Sequence, residues 1–133
     1  MKKKNPTILY VGNDCDYFNK HHRSIADYSA RQGFEIATAL PSKKRIGRYK
    51  NYPFTLMTAS QNPFNAIRSI IELSNIYNTV KPEIVHHFTL KISLLGGIAA
   101  RLTRVQSVVH TISGLGYFFN RLRQKNIFDY LAV

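Results

Sequence analysis

A single cysteine, Cys15, stands among 133 residues, so no internal disulfide can form and the fold must rest on a packed core. One cysteine also fits a reducing compartment. No Cys/His spacing suited to zinc occurs, and no metal is expected. Long apolar runs are missing: the longest, Ile92 to Ala100, is too short to cross a bilayer and is interrupted by Gly96-Gly97. Met1-Lys2-Lys3-Lys4 carries the charge of a signal n-region, yet Asn5-Pro6 follows where an apolar stretch would be needed. A cytoplasmic protein is expected, soluble or peripheral at the inner face of the cell membrane. Internal repeats, low-complexity tracts and linkers are absent too, and the length suits one compact domain over residues 1–133.

Acidic residues are scarce. Seven Asp and Glu stand against 19 Lys and Arg, a net charge of +12, which draws the chain toward polyanions: nucleic acid, anionic headgroups or phosphorylated ligands. The densest run, Lys43-Lys44-Arg45-Ile46-Gly47-Arg48-Tyr49-Lys50, reads either as a solvated loop or as a membrane-surface or phosphate-facing patch. No helix-turn-helix, zinc finger or RNA-binding aromatic motif accompanies the charge, so no specific nucleic acid is expected. A GxGxxG is lacking as well, which disfavours an NAD-type pyrophosphate site at the first turn.

What the chain does have is alternation. Thr7 to Val11 is an apolar, β-branched strand ending at Gly12-Asn13-Asp14. Asn19 to Gln32 reads as a helix with Ile25, Ala26, Tyr28 and Ser29 at helical spacing, closed by Gly33. Phe34 to Leu40 alternates as a second strand, and Phe54 to Met57 is expected to be a short third. Asn62-Pro63 opens a helix from Phe64 to about Val80, with Ile67, Ile70, Ile71, Ser74 and Tyr77 along its apolar face. Glu83 to Phe88 is a fourth strand. Leu90 to Leu102 is a helix with Leu94, Leu95, Ile98, Ala99 and Leu102 on its apolar side. Its Gly96-Gly97 pair costs stability that close packing on the sheet would justify. Ser107 to Ile112 is a fifth strand, and Phe119 to Val133 reads as a basic amphipathic helix. Such a succession predicts an α/β fold: a Rossmann-like, doubly wound parallel sheet with helices on both faces.

Ligands of open parallel sheets bind beyond the carboxyl ends of the strands, and there the polar and glycine-rich segments fall. Gly12, Asn13 and Asp14 follow the first strand; His86, His87, Thr89 and Lys91 end the fourth; His110, Thr111, Ser113, Gly114 and Gly116 end the fifth. These glycines serve either turn geometry or the close approach of a ligand. His86 and His87 point to opposite faces, so they are not expected to share a metal; one reads as a buried core histidine and the other either as a ligand contact or as a second structural group. His21-His22-Arg23 lies at the start of the first helix, either as an anion-holding turn or as a plain polar one. Cys15 has no visible base to activate it as a nucleophile. Asp14 and Asp16 could form an acidic pair of the receiver type, but the third strand offers no aspartate to complete one.

Three segments carry a family resemblance: Lys81-Pro82-Glu83-Ile84-Val85-His86-His87-Phe88-Thr89-Leu90-Lys91, Gly96-Gly97-Ile98-Ala99-Ala100-Arg101-Leu102, and Val108-Val109-His110-Thr111-Ile112-Ser113-Gly114-Leu115-Gly116-Tyr117. Together they resemble the N-terminal domain of family 4 glycosyltransferases, in the branch that builds bacterial surface polysaccharides and lipid-linked oligosaccharides. Phe18 to Arg23 and Gly33-Phe34-Glu35-Ile36 resemble it too. The resemblance implies half of a GT-B fold, in which two Rossmann-like domains face each other across a cleft. It implies a transfer that retains anomeric configuration and needs no metal or other cofactor, with a nucleotide sugar as co-substrate. Gly12 to Asp14, His22, His86 to Lys91 and Ser113 to Gly116 would line the acceptor side. Ser113-Gly114 stands where many members carry His-Gly, so the side chain at that point is altered. The donor-binding half has no counterpart in 133 residues. The isolated chain is therefore expected to be inactive: a split subunit awaiting a separate donor-binding partner, a truncated frame, or a non-catalytic binding subunit. A glycan or polyprenyl-phosphate-linked acceptor is its expected partner, with peripheral contact to anionic membrane, and a basic nucleic-acid-binding module is the less favoured alternative.

Overall fold

The computed structural model describes residues 4–56 and 62–113. Five strands form one parallel sheet: β1 (Thr7–Val11), β2 (Glu35–Ala39), β3 (Lys50–Asn51), β4 (Ile84–Phe88) and β5 (Ser107–Thr111), in the order β3-β2-β1-β4-β5. β1 is central, with Ile8 between Ile36 and Ile84 and Val11 between Ala39 and His87. The Rossmann-like fold is the one expected.

Alternation along the strands divides the core. Leu9, Val11, Ala37, Ala39 and Val85 pack beneath α3 (Pro63–Val80) and α4 (Leu90–Leu102), against Leu73, Ile76, Tyr77, Ile92, Leu95, Ala99 and Ala100. Ile8, Tyr10 and Phe88 point the other way, onto Phe18 of α1 (Cys15–His21) and Ala26 of α2 (Arg23–Arg31).

The boundaries differ from expectation at informative places. The single helix expected from Asn19 is two. Asp14 caps α1, its carboxylate accepting the Tyr17 amide at 2.6 Å, so helix begins four residues early. The break falls at His22, which ends α1 and opens α2. Gly33, at φ 95, closes α2 as expected. The third strand is not at Phe54 to Met57 but at Lys50–Asn51, and Met57 lies outside the described residues. Pro53 has no amide to donate to a ladder. Asn51 also uses its side chain there, Oδ1 accepting from Thr38 Oγ1 (2.9 Å) and the Leu40 amide (3.0 Å). Phe54 is buried nonetheless, as a loop residue against the core.

Three helix faces are rotated only in part from the expected ones: Ala26, Tyr77, Leu95 and Ala99 are buried as expected. Ile25 and Tyr28 of α2, Ile67 and Ile71 of α3, and Leu94, Ile98 and Leu102 of α4 are exposed. The buried positions are Ala26, then Ser69, Leu73, Ile76 and Tyr77, then Ile92, Ser93, Leu95, Gly96, Ala99 and Ala100. On α4 small residues decide this, because they let the helix axis approach the sheet where larger ones hold it off. Gly96 is the clearest case: a Cβ there would collide with the His87 ring and lie 3.0 Å from the Tyr77 hydroxyl. Gly97 faces no such demand, its nearest neighbour being His110 at 3.5 Å. The helix expected from Phe119 lies outside the described residues.

Candidate functional site

At the carboxyl edge of the sheet the β1–α1 loop, α1 and the β4–α4 junction enclose an open cleft of about 510 Å³, lined by Asn13, Asp14, Asp16, Tyr17, Lys20, His21, Thr89 and Ser113. Gly12 sets the floor of its first wall. The Gly12 amide donates to Ala39 O at 3.2 Å, and a Cβ would come within 2.9 Å of Leu40, so the chain turns in close contact with β2. α1 then rises from its Asp14 cap and carries Tyr17 and His21, rings 4.4 Å apart, along the cleft.

Thr89 is the unusual residue of the opposite wall. It sits at φ 74, ψ 156, a region that a β-branched residue enters only under strain. Its amide continues the ladder to Thr111 O (3.1 Å) and its carbonyl accepts the Ser93 amide (3.0 Å), which together fix the backbone. Its hydroxyl does not cap α4, and Thr89 Oγ1 and Ser93 Oγ are both buried with no hydrogen-bond partner among the described residues. Lys91 lies in the first turn of α4, where burial lowers its ammonium pKa.

The two histidines of β4 part as strand geometry requires. His86 points to the α1/α2 side, 4.4 Å from the Phe88 ring and 5.5 Å from Tyr10, with its Nε2 2.7 Å from Thr111 Oγ1. His22 stacks on the same Phe88 at 3.9 Å. Burial first, then the nearby His22 and His110, lowers His86 to about 4. His22 is also lowered, by burial and then by His21, so both rings are neutral at pH 7.

His87 is no part of the cleft. It is fully buried under α4, its Nε2 2.7 Å from Tyr77 Oη and its Nδ1 3.3 Å from His110 Nδ1. Burial, with His110 and His86 adding to it, lowers His87 to about 3 and raises the Tyr77 phenol. One neutral arrangement uses all three groups: Tyr77 donates to His87 Nε2, and His87 Nδ1–H donates to His110 Nδ1. This is a structural network of the α3/α4 side.

Of the residues expected at the site, then, the structure brings Asn13, Asp14, Thr89 and Ser113 to one cleft, with Gly12 beneath. His22 and His86 stand on the same side of the sheet through Phe88 without lining it. Gly114 and Gly116 lie outside the described residues. Tyr17 and Lys20 line the cleft although nothing in the sequence singled them out, and Asp16 and His21, expected only as half of an acidic pair and as part of a helix-opening turn, line it too; the overlooked signal was Asp14 as a helix cap, which turns 15–21 from loop into helix. His21 closes α1 rather than opening a helix, while Arg23 does open α2. Cys15 is a free thiol in the first turn of α1. No group of three His, Cys, Asp or Glu side chains is placed to hold a metal ion among the described residues.

The family model described as glycosyl transferase 4-like matches residues 7–133. The chain belongs to that family. Over 61 residues this glycosyl transferase 4-like chain is 38% identical to the UDP-Gal:alpha-D-GlcNAc-diphosphoundecaprenol alpha-1,3-galactosyltransferase of Escherichia coli, a stretch that is 46% of this chain and 15% of that enzyme. Among solved structures, MurG of Acinetobacter baumannii superposes with a TM-score of 0.62 at 13% identity, over 87% of this chain and 38% of its own. A UDP-N-acetylglucosamine 2-epimerase gives 0.67 at 12% identity, over 97% and 39%. S. aureus MnaA, solved with UDP, gives 0.61 at 15%, over 96% and 36%. At such identities the likeness to these structures is one of fold. The chain thus spans well under half the length of each of these proteins.

Proposed function

We propose that this chain is the acceptor-side domain of a glycosyltransferase that moves a sugar from a nucleotide-sugar donor to a lipid-linked glycan. One observation carries the reading: in a chain of this family, the β1–α1 and β4–α4 segments and Ser113 meet in one cleft at the carboxyl edge of the sheet. The acceptor sugar would lie against Tyr17 and His21, with Asp14 and Asn13 receiving its hydroxyls. The start of α4, with the Thr89 hydroxyl unengaged and Lys91 in the first turn, would face the acceptor's phosphates. A second domain or chain would supply the donor and stabilise the leaving diphosphate. This domain's contribution is to hold the acceptor hydroxyl beside the donor's anomeric carbon, which removes much of the entropic barrier.

The test uses the chain alone and paired with the donor-binding half of a family relative. Each preparation is incubated with UDP-[14C]galactose and N-acetylglucosaminyl-diphosphoundecaprenol, and acceptor binding is followed separately by saturation-transfer NMR. Acceptor binding by the chain alone, with transfer only in the pair, is the expected result. Binding without transfer in any pairing would favour a non-catalytic recruiting subunit; no acceptor binding would remove the acceptor-side reading.

A further inference from the structure

The basic run from Lys43 to Lys50 has no part in the cleft just described, yet the fold gives it a defined shape. Ile46 is fully buried and Tyr49 nearly so, and their backbones bond to each other in both directions, Ile46 N to Tyr49 O at 3.3 Å and Tyr49 N to Ile46 O at 3.0 Å. Gly47 and Arg48 form the tip of this pinned turn. Gly47 adopts φ 57, and a Cβ there would run into the Arg23 guanidinium, so the tip lies directly against α2. On α2, Arg23, Asp27 and Arg31 follow one another four residues apart, along one face. Arg23, Asp27, Arg31 and Arg48 together line an open cleft of about 390 Å³.

The charges in this cleft do not balance. Its one carboxylate is already engaged: Asp27 Oδ1 accepts the Tyr49 hydroxyl at 2.5 Å, and Oδ2 lies 3.8 Å from Arg23 Nε. Arg48 and Arg31 have no ion pair among the described residues. Both are held in orientation by rings instead. Arg48 lies over Tyr49 at 5.4 Å and donates to its hydroxyl at 3.4 Å, while Arg31 lies over Tyr28 at 5.9 Å. Guanidinium forks with restricted orientation match the oxygens of a phosphoryl group better than flexible ammonium groups do. Lys43, Lys44 and Arg45, exposed on the same turn, extend the positive field around it.

We propose that the Arg23–Arg31–Arg48 cleft binds a phosphate-bearing anion, at a site separate from the one at the sheet edge. The phosphoryl group is recognised in the same way whether it belongs to a soluble diphosphate or to a lipid headgroup. The two clefts share no lining residue, so each can be altered without touching the other.

The test compares the chain with Arg31→Gln/Arg48→Gln and with Arg101→Gln/Arg104→Gln, which removes the same charge from the end of α4. Matching circular dichroism spectra establish that all three are folded. Two probes are used: inorganic pyrophosphate by calorimetry, and sedimentation of phosphatidylcholine vesicles with and without phosphatidylglycerol. Loss of the Arg31 and Arg48 contacts should weaken binding by about tenfold or more, with less than about a twofold change in the α4 variant. Pyrophosphate binding with that pattern assigns the site to soluble phosphates; binding only to vesicles that contain phosphatidylglycerol assigns it to headgroups. Equal losses in both variants would reduce the effect to net charge and overturn the proposal, as would failure to bind either probe.

Discussion

His86 and His87 are neighbours in sequence, and their surroundings show how differently the two faces of this sheet are used. His87 faces α3 and α4, two helices of 18 and 13 residues, and is locked between Tyr77, His110 and the Gly96 backbone. His86 faces α1 and α2, helices of only 7 and 9 residues broken at His22, and lies in a row of aromatic rings that leads toward the cleft. The first face is a structural wall, where both ring nitrogens of His87 have partners and the Gly96 position leaves no room for a Cβ. The second is thinner and built from stacked rings, with its polar residues left at the edge. The comparison teaches that a histidine at a strand end is diagnostic of function only once its face is known.

The structural wall should break most easily at Gly96. Gly96→Val forces a branched side chain into the His87 ring and should cost roughly 3 kcal/mol, as overpacking of a tight core does. Gly97→Ala, one residue on, meets only ordinary contact and should gain about 0.5 to 1 kcal/mol from helix propensity. Urea denaturation of both variants tests the contrast. Equal effects would mean that α4 can shift on the sheet and that the His87 network does not fix its height.

Acid should expose the same wall next. His87 titrates near 3 when folded, against 6.5 for the free side chain, so the folded chain binds fewer protons than the unfolded one. The stabilisation is therefore full above about pH 6.5 and is lost as the pH falls toward 3, by roughly 2 kcal/mol between pH 7 and pH 5. His86, lowered to about 4 but partly open to solvent, acts in the same direction with a smaller weight. Denaturant midpoints measured across this range should flatten markedly in His87→Gln, which keeps an acceptor for Tyr77, and only slightly in His86→Gln.

Much of this architecture could be read in advance, and the misses share a cause. Four of the five strands, the parallel order implied by their alternation with helices, and the Asn62-Pro63 and Gly33 boundaries followed from local rules, because caps and β-branched runs act within a few residues. Which face each helix buries followed only in part, with Ala26, Tyr77, Leu95 and Ala99 placed correctly and their larger neighbours not. α3 and α4 have apolar residues on more than one face, so periodicity alone could not choose, and on α4 the choice fell to small residues meeting partners distant in sequence, as Gly96 meets His87. The cleft was half legible: its loops were placed by the strand-end rule, but Tyr17, Lys20 and His21 needed the recognition that Asp14 starts a helix. The pinning of the basic turn against α2 depends on Ile46, Tyr49 and Asp27 coming together, which no local pattern announces.

On the functional side the first probe is Thr89. Its backbone conformation suits glycine, so Thr89→Gly should relieve strain and raise stability by about 1 kcal/mol. The same change removes the buried, unpartnered hydroxyl from the cleft, and acceptor affinity should fall as stability rises. That opposition is what a strained ligand-contact residue predicts. A loss of stability would instead place Thr89 with His87 among the structural groups.

The smallest stability change, and the sharpest separation of roles, is expected at Asp14. Asparagine caps a helix as well as aspartate does, so Asp14→Asn should leave the urea midpoint within about 0.5 kcal/mol of the parent. What it removes is a negative charge at the mouth of the cleft, beside Lys20 and His21. If Asp14 orients or deprotonates the acceptor hydroxyl, transfer by the paired halves should drop by about tenfold or more, with acceptor binding less affected. If transfer is unchanged, the carboxylate at Asp14 serves only the Tyr17 amide that it caps. The chemistry would then have to be sought in Asp16, the other carboxylate facing the same cleft.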